Sequence, residues 1–132
     1  MSLLIKKTGA KGERLAAEYL IKQGYSILKT NFRVRMKEVD IICEDGDFIV
    51  FVEVKTMMPR EDGTFPHRPS RYVDTNKKNN LILAALGYMK KYSPPRIPRI
   101  DVIEVYLGEP VKIEHIRGAV NRNDFKKRGK RI

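Results

Sequence analysis

Four charged side chains stand within two neighbouring apolar segments of the chain, where charge is costly unless it is paired or used for chemistry. Residues 38–43 and 48–55 are rich in Val, Ile and Phe, which predicts two β-strands, and the Asp45-Gly46 pair between them is typical of a hairpin turn. The charged members are Glu38, Asp40, Glu53 and Lys55. A hairpin of this composition calls for an explanation by charge pairing or by catalysis.

Strand alternation predicts that these charged side chains share one face of the hairpin. The pairing that we expect puts Cys43 opposite Phe48 and Glu38 opposite Glu53. The second face is then wholly apolar and is formed by Val39, Ile41, Cys43, Phe48, Val50, Val52 and Val54.

The chemistry that fits this face is metal-assisted hydrolysis. Carboxylates that meet at a water-accessible point bind hard cations such as Mg²⁺ or Mn²⁺, and a nearby lysine can orient a water and offset charge on a phosphorus under attack. Asp40, Glu53 and Lys55 supply these parts. The acid-x-Lys spacing is weak alone, because Asp124-Phe125-Lys126 repeats it. An alternative stays open, in which Lys55 only neutralises Glu53 and Glu38 in a structural ion cluster.

Composition narrows the partners. The 132 residues include 27 Lys and Arg against 16 Asp and Glu, a net charge of +11, which favours polyanionic partners such as DNA, RNA or acidic membrane surfaces. The single cysteine, Cys43, excludes a disulfide framework and a cysteine-based zinc site, and it fits a reducing, cytoplasmic compartment. No apolar run approaches the ~18 residues of a membrane span, so no membrane partner is expected.

Hydrophobic periodicity predicts one α/β domain over residues 1–116 and a basic C-terminal tail over residues 117–132. A strand, a helix and a further strand follow one another after the hairpin, which predicts a parallel pairing in a mixed sheet flanked by helices. The predicted order is helix 8–23, strand 25–35 with a bulge near Asn31-Phe32, the hairpin, basic loop 57–75, helix 76–92, strand 99–107 and edge strand 111–116.

Basic residues outside the hairpin are candidates for phosphate contact. Lys77 and Lys78 open the second helix, where the helix dipole disfavours cations, so contact with a nucleic-acid backbone would explain them. Three basic residues would project from one strand face at two-residue spacing and form a possible phosphate track: Arg33, Arg35 and Lys37. Charged side chains also protect sheet edges from unwanted pairing, and this explanation is equally open. The predicted nucleic-acid-binding residues are Arg33, Arg35, Arg68, Arg71, Lys77 and Lys78.

Other titratable residues have simpler explanations. Glu13, taken alone, is an acid near the start of a helix, where the dipole stabilises it. We expect Asp101 to cap its strand or to pair with Arg99. His67 and His115 lack a second histidine at ligand spacing and are expected to be structural or solvent-facing.

Several segments in fixed order resemble one family across almost the whole chain. The chain is similar to the YraN-like family of uncharacterised bacterial proteins, which resemble archaeal Holliday junction resolvases of the PD-(D/E)xK, restriction endonuclease-like, nuclease superfamily. Departures from the family pattern are Lys37 in place of a glycine, the lack of a proline before Asp40, and Val120 in place of an aromatic residue. The matching segments are residues 9–13, 24–25, 31–33, 38–42, 51–55, 99–103 and 115–116.

The resemblance implies a restriction endonuclease-like α-β-β-β-α-β core and assigns roles within it. Asp40 and Glu53 would bind Mg²⁺ or Mn²⁺, Lys55 would serve the attacking water, and Glu13 would add a carboxylate from the first helix. The leading hypothesis is therefore a metal-dependent DNA endonuclease acting on branched or structured DNA, for which a homodimer would be suited.

Two other functions are compatible with the sequence. The first is a non-catalytic nucleic-acid-binding protein that keeps the nuclease fold but no longer cuts. The second, a weaker candidate, is a small basic protein that associates with the ribosome.

Overall fold

The computed structural model describes residues 3–34, 36–66 and 75–120, and within these ranges it contains two helices and five strands. The predicted order of elements is confirmed, including the edge strand at the end. Helix α1 begins at Leu3, ahead of its predicted start. The elements are α1 Leu3–Lys22, β1 Ser26–Val34, β2 Lys37–Asp45, β3 Phe48–Met57, α2 Thr75–Tyr92, β4 Ile97–Tyr106 and β5 Lys112–Ile116.

The five strands form one mixed sheet in the order β1-β2-β3-β4-β5. Strands β3 and β4 pair in parallel through the crossover helix α2, and the other neighbours pair antiparallel. This confirms the predicted mixed sheet, because a parallel pair needs a long crossover whereas the hairpins need only short turns.

The register of the β2–β3 hairpin differs from the prediction. Cys43 pairs with Val50 and Asp45 with Phe48, so the predicted pairing of Cys43 with Phe48 is wrong by two residues. The loop comprises only Gly46 and Asp47, with Gly46 at a positive φ of 57°, and so the strands run further into the turn than expected. A shift of two residues leaves the faces of the sheet unchanged.

Each face of the sheet is covered by one helix. Ala16 and Leu20 of α1 pack with Ile41, Val50 and Val52 on one face. The opposite face packs against α2, through a cluster that includes Ile42, Ile49, Phe51, Ile82, Ala85 and Ile100. Strand β3 is apolar on both faces because it is a central strand covered on both sides.

Val39 departs from the predicted alternation. It was expected beside Ile41 and Cys43, but it packs with Ile42 on the α2 face. The change of face lies across from Asn31 of β1, which adopts a left-handed φ of 49°, a conformation that Asn tolerates better than most residues. The register shift in β1 falls between Ile27 and Lys29, so the predicted bulge near Asn31-Phe32 is misplaced.

A buried polar network on the α1 face connects strand β4 with strand β5 and helix α1. Asp101 accepts two hydrogen bonds from Arg99, at 2.9 and 2.8 Å, which confirms the predicted pair. Nε2 of His115 lies 2.7 Å from Asp101, and its Nδ1 lies 3.0 Å from the Tyr19 hydroxyl. His115 is therefore structural. Burial raises the pKa of Asp101, but hydrogen bonds from His115 and Arg99 outweigh it and hold that pKa below its usual value.

The described chain continues past the last strand. The Gly118 N–H donates to Asp101, the Ala119 N–H donates to the Ile100 carbonyl, and Val120 is buried in the α2-side core. Residues 121–132 of the basic tail lie outside the described residues. Across the described ranges, no helix is long and apolar enough to cross a membrane.

Candidate functional site

Asp40 stands where strands β2 and β3 stop pairing. The last paired residues on this side of the hairpin are Ile41 and Val52. Beyond them, Oδ2 of Asp40 accepts a hydrogen bond of 2.8 Å from the Val54 N–H. The carboxylate thus accepts a hydrogen bond from a backbone N–H of β3 that lies beyond the last β2–β3 pair. This bond fixes Asp40 beside β3.

Glu53 follows Val52 on β3 and is one of three buried polar or charged residues in the described chain, with 7% of its surface exposed. Its Oε1 accepts a hydrogen bond of 2.6 Å from Nζ of Lys77, in the first turn of α2. A buried carboxylate needs such a charged partner, because desolvation without compensation is costly. The pair also ties the start of α2 to the middle of the sheet.

Asp40 and Glu53 open onto one cleft with a volume of about 250 Å³. Its walls come from the start of β2, from β3 and from the first two turns of α2. The described residues that line it are Met36, Lys37, Glu38, Asp40, Glu53, Lys77, Asn80 and Leu81.

Glu13 approaches this cleft from the other face, through α1. The helix packs so closely on β3 that a Cβ at Gly12 would collide with the Thr56 side chain. With its amide nitrogen turned towards the carboxylates, Asn31 donates to Oε2 of Glu13 at 3.2 Å and to Oε1 of Glu38 at 3.1 Å. Asn31 therefore connects the α1 carboxylate with the β2 carboxylate.

The clustering of carboxylates is visible in their pKa values. The pKa of Asp40 is raised to about 7: burial is the largest cause and the negative charges of Glu53 and Glu13 add to it, whereas the Val54 hydrogen bond and the Lys77 charge act against them. Burial and the charge of Glu38 also raise the pKa of Glu13. The cluster therefore favours anything positive that reaches it, a proton or a cation.

The carboxylate oxygens of this cleft are the type of ligand that a hard divalent cation prefers. Mg²⁺ is bound by one or two carboxylates together with water and phosphate oxygens, and Asp40 and Glu53 offer two carboxylates to one cleft. Among the residues described, no group of three or more His, Cys, Asp and Glu side chains is arranged to hold a metal ion. Glu13 is not among the described residues that line the cleft, but its charge acts on Asp40.

Lys55 lies two residues beyond Glu53 on the same strand. It does not belong to the lining of the cleft but is paired in register with Glu104 of β4. Glu104 is almost wholly buried and accepts a hydrogen bond of 2.8 Å from the Tyr106 hydroxyl. Burial together with Glu104 raises the pKa of Tyr106 to about 12.

The predicted phosphate-binding residues are not gathered into one track by the described contacts. Arg33 forms an ion pair of 3.2 Å with Glu38, and Lys77 binds Glu53. Lys78 is half-buried in the first turns of α2. Arg35, Arg68 and Arg71 lie outside the described residues, as does His67.

Four residues of the site were missed by the sequence analysis. Asn31 bridges two carboxylates, while Met36, Asn80 and Leu81 line the cleft. Only Asn31 carried a signal, since the Asn31-Phe32 step was singled out as irregular. The contacts of the other three depend on where α2 and the β1–β2 turn meet in space, which local sequence does not specify.

The fold and the cleft together define a small mixed α/β protein with an acidic, lysine-bridged cleft where two central strands part. The chain belongs to the uncharacterised protein family UPF0102, which it matches over residues 12–105, a range that contains Glu13, Asp40, Glu53 and Lys55. The predicted YraN-like family is confirmed at this level. The match itself carries no statement about nuclease activity.

Relatives of similar length occur in several bacteria. A UPF0102 protein of Syntrophomonas wolfei is 42% identical over 117 residues, covering 86% of this chain and 97% of the relative. One from Dehalococcoides mccartyi is 40% identical over 117 residues, covering 87% and 93%. One from Caldanaerobacter subterraneus is 39% identical over 128 residues, covering 92% and 98%.

Proposed function

We propose that this protein is a Mg²⁺- or Mn²⁺-dependent endonuclease that hydrolyses phosphodiester bonds in DNA, with branched or structured DNA as its substrate class. The observation that carries the proposal is the meeting of Asp40 and Glu53 in one cleft of a protein with a net charge of +11. Carboxylates repel a polyanion, so a basic protein that concentrates them where it would meet phosphate needs a cation between the two.

Each residue of the proposed site has a role that follows from its position. Asp40 and Glu53 would hold the cation, which when bound supplies charge stabilisation at the phosphate and a more acidic water. Lys55, two residues beyond Glu53 on β3, would orient the attacking water and stabilise the negative charge that develops on phosphorus. Glu13, linked to Glu38 through Asn31, would add a carboxylate when a second metal or the substrate is present.

The proposed binding surface is made of basic residues, three of which lie among the described residues. Lys77 at the cleft, Arg33 beside it and Lys78 on α2 would contact the sugar-phosphate backbone, together with Arg35, Arg68 and Arg71. A homodimer would present two clefts to the two strands of a junction.

Cleavage of defined substrates tests the proposal. Duplex, single-stranded and four-way-junction DNA are incubated with Mg²⁺, Mn²⁺ or chelator, and we expect metal-dependent cutting with the junction cut fastest. Lys55→Met should lower the rate by about 10² to 10⁴, the range of general acid–base catalysis. Glu109→Gln, an exposed acid in the β4–β5 turn, serves as the matched control and should cut normally. Cutting in chelator, or full activity in Glu53→Ala, would overturn the proposal.

The second candidate is a nucleic-acid-binding protein that does not cut. It is favoured by the Lys77–Glu53 ion pair and by the position of Lys55 outside the cleft lining. It predicts salt-sensitive DNA binding that Asp40→Ala leaves intact, and no calorimetric binding of Mg²⁺ or Mn²⁺. Metal binding by the wild type and its loss in Asp40→Ala would exclude this candidate.

A further inference from the structure

Lys77 lines the cleft. Two negatively charged groups would compete there for its ammonium: the carboxylate of Glu53, a proposed metal ligand, and a phosphate of the nucleic acid. We infer that Lys77 is a displaceable counter-ion of Glu53: a nucleic-acid phosphate draws the ammonium off Glu53, and the freed carboxylate then takes up the divalent cation. This inference rests on the proposed function and adds to it a coupling between nucleic-acid binding and metal binding.

The geometry of the pair supports such an exchange. Nζ of Lys77 lies 2.6 Å from Oε1 of Glu53, and the two side chains differ sharply in exposure, 56% for Lys77 against 9% for Glu53. The carboxylate is therefore fixed inside the cleft, whereas the lysine reaches it from the solvent side. A long, exposed lysine can turn to another anion without any change in the backbone.

The position of Lys77 on its helix favours its release. It stands in the first turn of α2, which contains no acidic residue, and the partial positive charge of a helix N-terminus disfavours an ammonium there. Glu53 offsets this cost in the free protein. A phosphate at the mouth of the cleft would offset it equally well, because helix N-termini favour phosphate.

Competition for Glu53 makes the coupling reciprocal. The ammonium occupies Oε1 of Glu53, and its positive charge opposes a divalent cation on the same carboxylate, so anything that removes Lys77 from Glu53 raises metal affinity. By linkage, a cation on Glu53 releases Lys77 and raises affinity for nucleic acid by the same factor. The protein would hold its metal more tightly when a substrate is bound than when it is free.

Nucleic-acid binding in chelator tests the shared lysine without metal or cleavage. Anisotropy of a labelled duplex is measured for the wild type, Glu53→Gln, Asp40→Asn, Lys77→Met and the double variant Glu53→Gln/Lys77→Met. The titrations are run well above pH 7, where Asp40 is ionised. Asp40→Asn is then the matched control, because it removes one charge from the same cleft without freeing Lys77. We expect Glu53→Gln to gain about fivefold more affinity than Asp40→Asn, and the extra gain to vanish in the double variant. An equal gain in both single carboxylate variants, or an extra gain that persists in the double variant, would overturn the inference.

Calorimetry with Mn²⁺ alone tests the metal side. Lys77→Met should bind Mn²⁺ about tenfold more tightly than the wild type, within the range of about 5- to 150-fold usual for coupled sites. Lys90→Met, an exposed lysine in the last turn of the same helix, removes the same charge and should leave the affinity unchanged. Equal Mn²⁺ affinity in Lys77→Met and wild type would overturn the inference. If that result came with metal-dependent cutting, the proposed nuclease would stand; coupling without cutting would instead overturn hydrolysis alone.

Discussion

Asp40 combines a structural hydrogen bond with an unusual pKa. Its carboxylate accepts the Val54 N–H at the end of the strand ladder, yet burial and neighbouring carboxylates raise its pKa to about 7. A group that serves only as a strand-end acceptor would be more stable as a neutral amide. The raised pKa makes Asp40 a candidate functional residue, because strongly perturbed pKa values cluster at functional sites.

The raised pKa of Asp40 predicts how stability varies with pH. The folded-state pKa of about 7 lies above the ordinary value of 3.8, so the folded protein binds a proton that the unfolded chain releases between these pH values. The free energy of unfolding should therefore fall as pH rises from about 4 to 7, by at most about 4 kcal/mol from this residue. In Asp40→Asn this part of the fall should disappear.

Urea denaturation of the wild type and Asp40→Asn across this pH range measures the effect. The stability of the variant relative to the wild type should increase steadily with pH. Glu61→Gln, an exposed acid in the loop after β3, is the control and should track the wild type. A difference between Asp40→Asn and the wild type that does not change with pH would show that Asp40 ionises normally.

At the scale of elements, the site depends on how closely α1 approaches β3. Gly12 makes that approach possible, because any Cβ there would collide with the Thr56 side chain. Glu13, the next residue, is thereby held within reach of Asn31. The glycine therefore links the packing of a helix to the placement of a carboxylate.

Two glycines of α1 provide a matched pair for testing this contact. Gly12→Ala should lower the free energy of unfolding by about 1–3 kcal/mol through overpacking against Thr56. Gly9→Ala, in the same helix with no neighbouring atom within 4 Å of its would-be Cβ, should stabilise the protein by about 0.5–1 kcal/mol through helix propensity. Thermal or urea unfolding measures both. Similar effects from the two substitutions would contradict a tight α1–β3 contact.

Most of the elements could be predicted from sequence because their signals are local. The hairpin turn, the apolar alternation of β2 and β3, and the Ser93-Pro94-Pro95 end of α2 are each read from a few residues. The shift in hairpin register and the change of face at Val39 could not be predicted. The register depends on which of several possible strand pairings is the most stable, and the face of Val39 depends on how β2 pairs with β1. Contacts between residues distant in sequence decide both.

The candidate site was predictable in its residues and less so in its partners. Strand alternation predicts that Asp40 and Glu53 share one face of the hairpin, and both line the cleft. The sequence offered no way to see that Lys77 reaches Glu53 or that Asn31 joins Glu13 to Glu38, because these contacts join residues from separate elements. Long side chains make such contacts wherever the packing of helices brings them.

At the scale of the whole molecule, charge should decide how the protein meets its partner. The net charge of +11 is that of the whole chain, basic tail included, and the acidic cleft is small by comparison. Long-range attraction should therefore come from the basic surface, whereas the cleft acts only at contact distance.

This separation predicts a steep salt dependence that is independent of the cleft. Affinity for a duplex in chelator should fall by about a thousandfold between roughly 50 and 200 mM salt if roughly six phosphates are contacted. Asp40→Asn should keep the same slope of log affinity against log salt, because it removes no cation. Anisotropy titrations at several salt concentrations measure both slopes. A shallow wild-type slope would contradict binding through backbone phosphates.

The most direct test of the central claim is an anomalous-scattering map from crystals soaked in Mn²⁺. We expect one strong peak in the cleft, within about 2.0–2.4 Å of a carboxylate oxygen of Asp40 and of Glu53. The peak should be absent from Asp40→Asn crystals grown and soaked in the same way. An empty cleft in fully soaked wild-type crystals, or Mn²⁺ bound only elsewhere, would contradict the claim that these two carboxylates form a metal site.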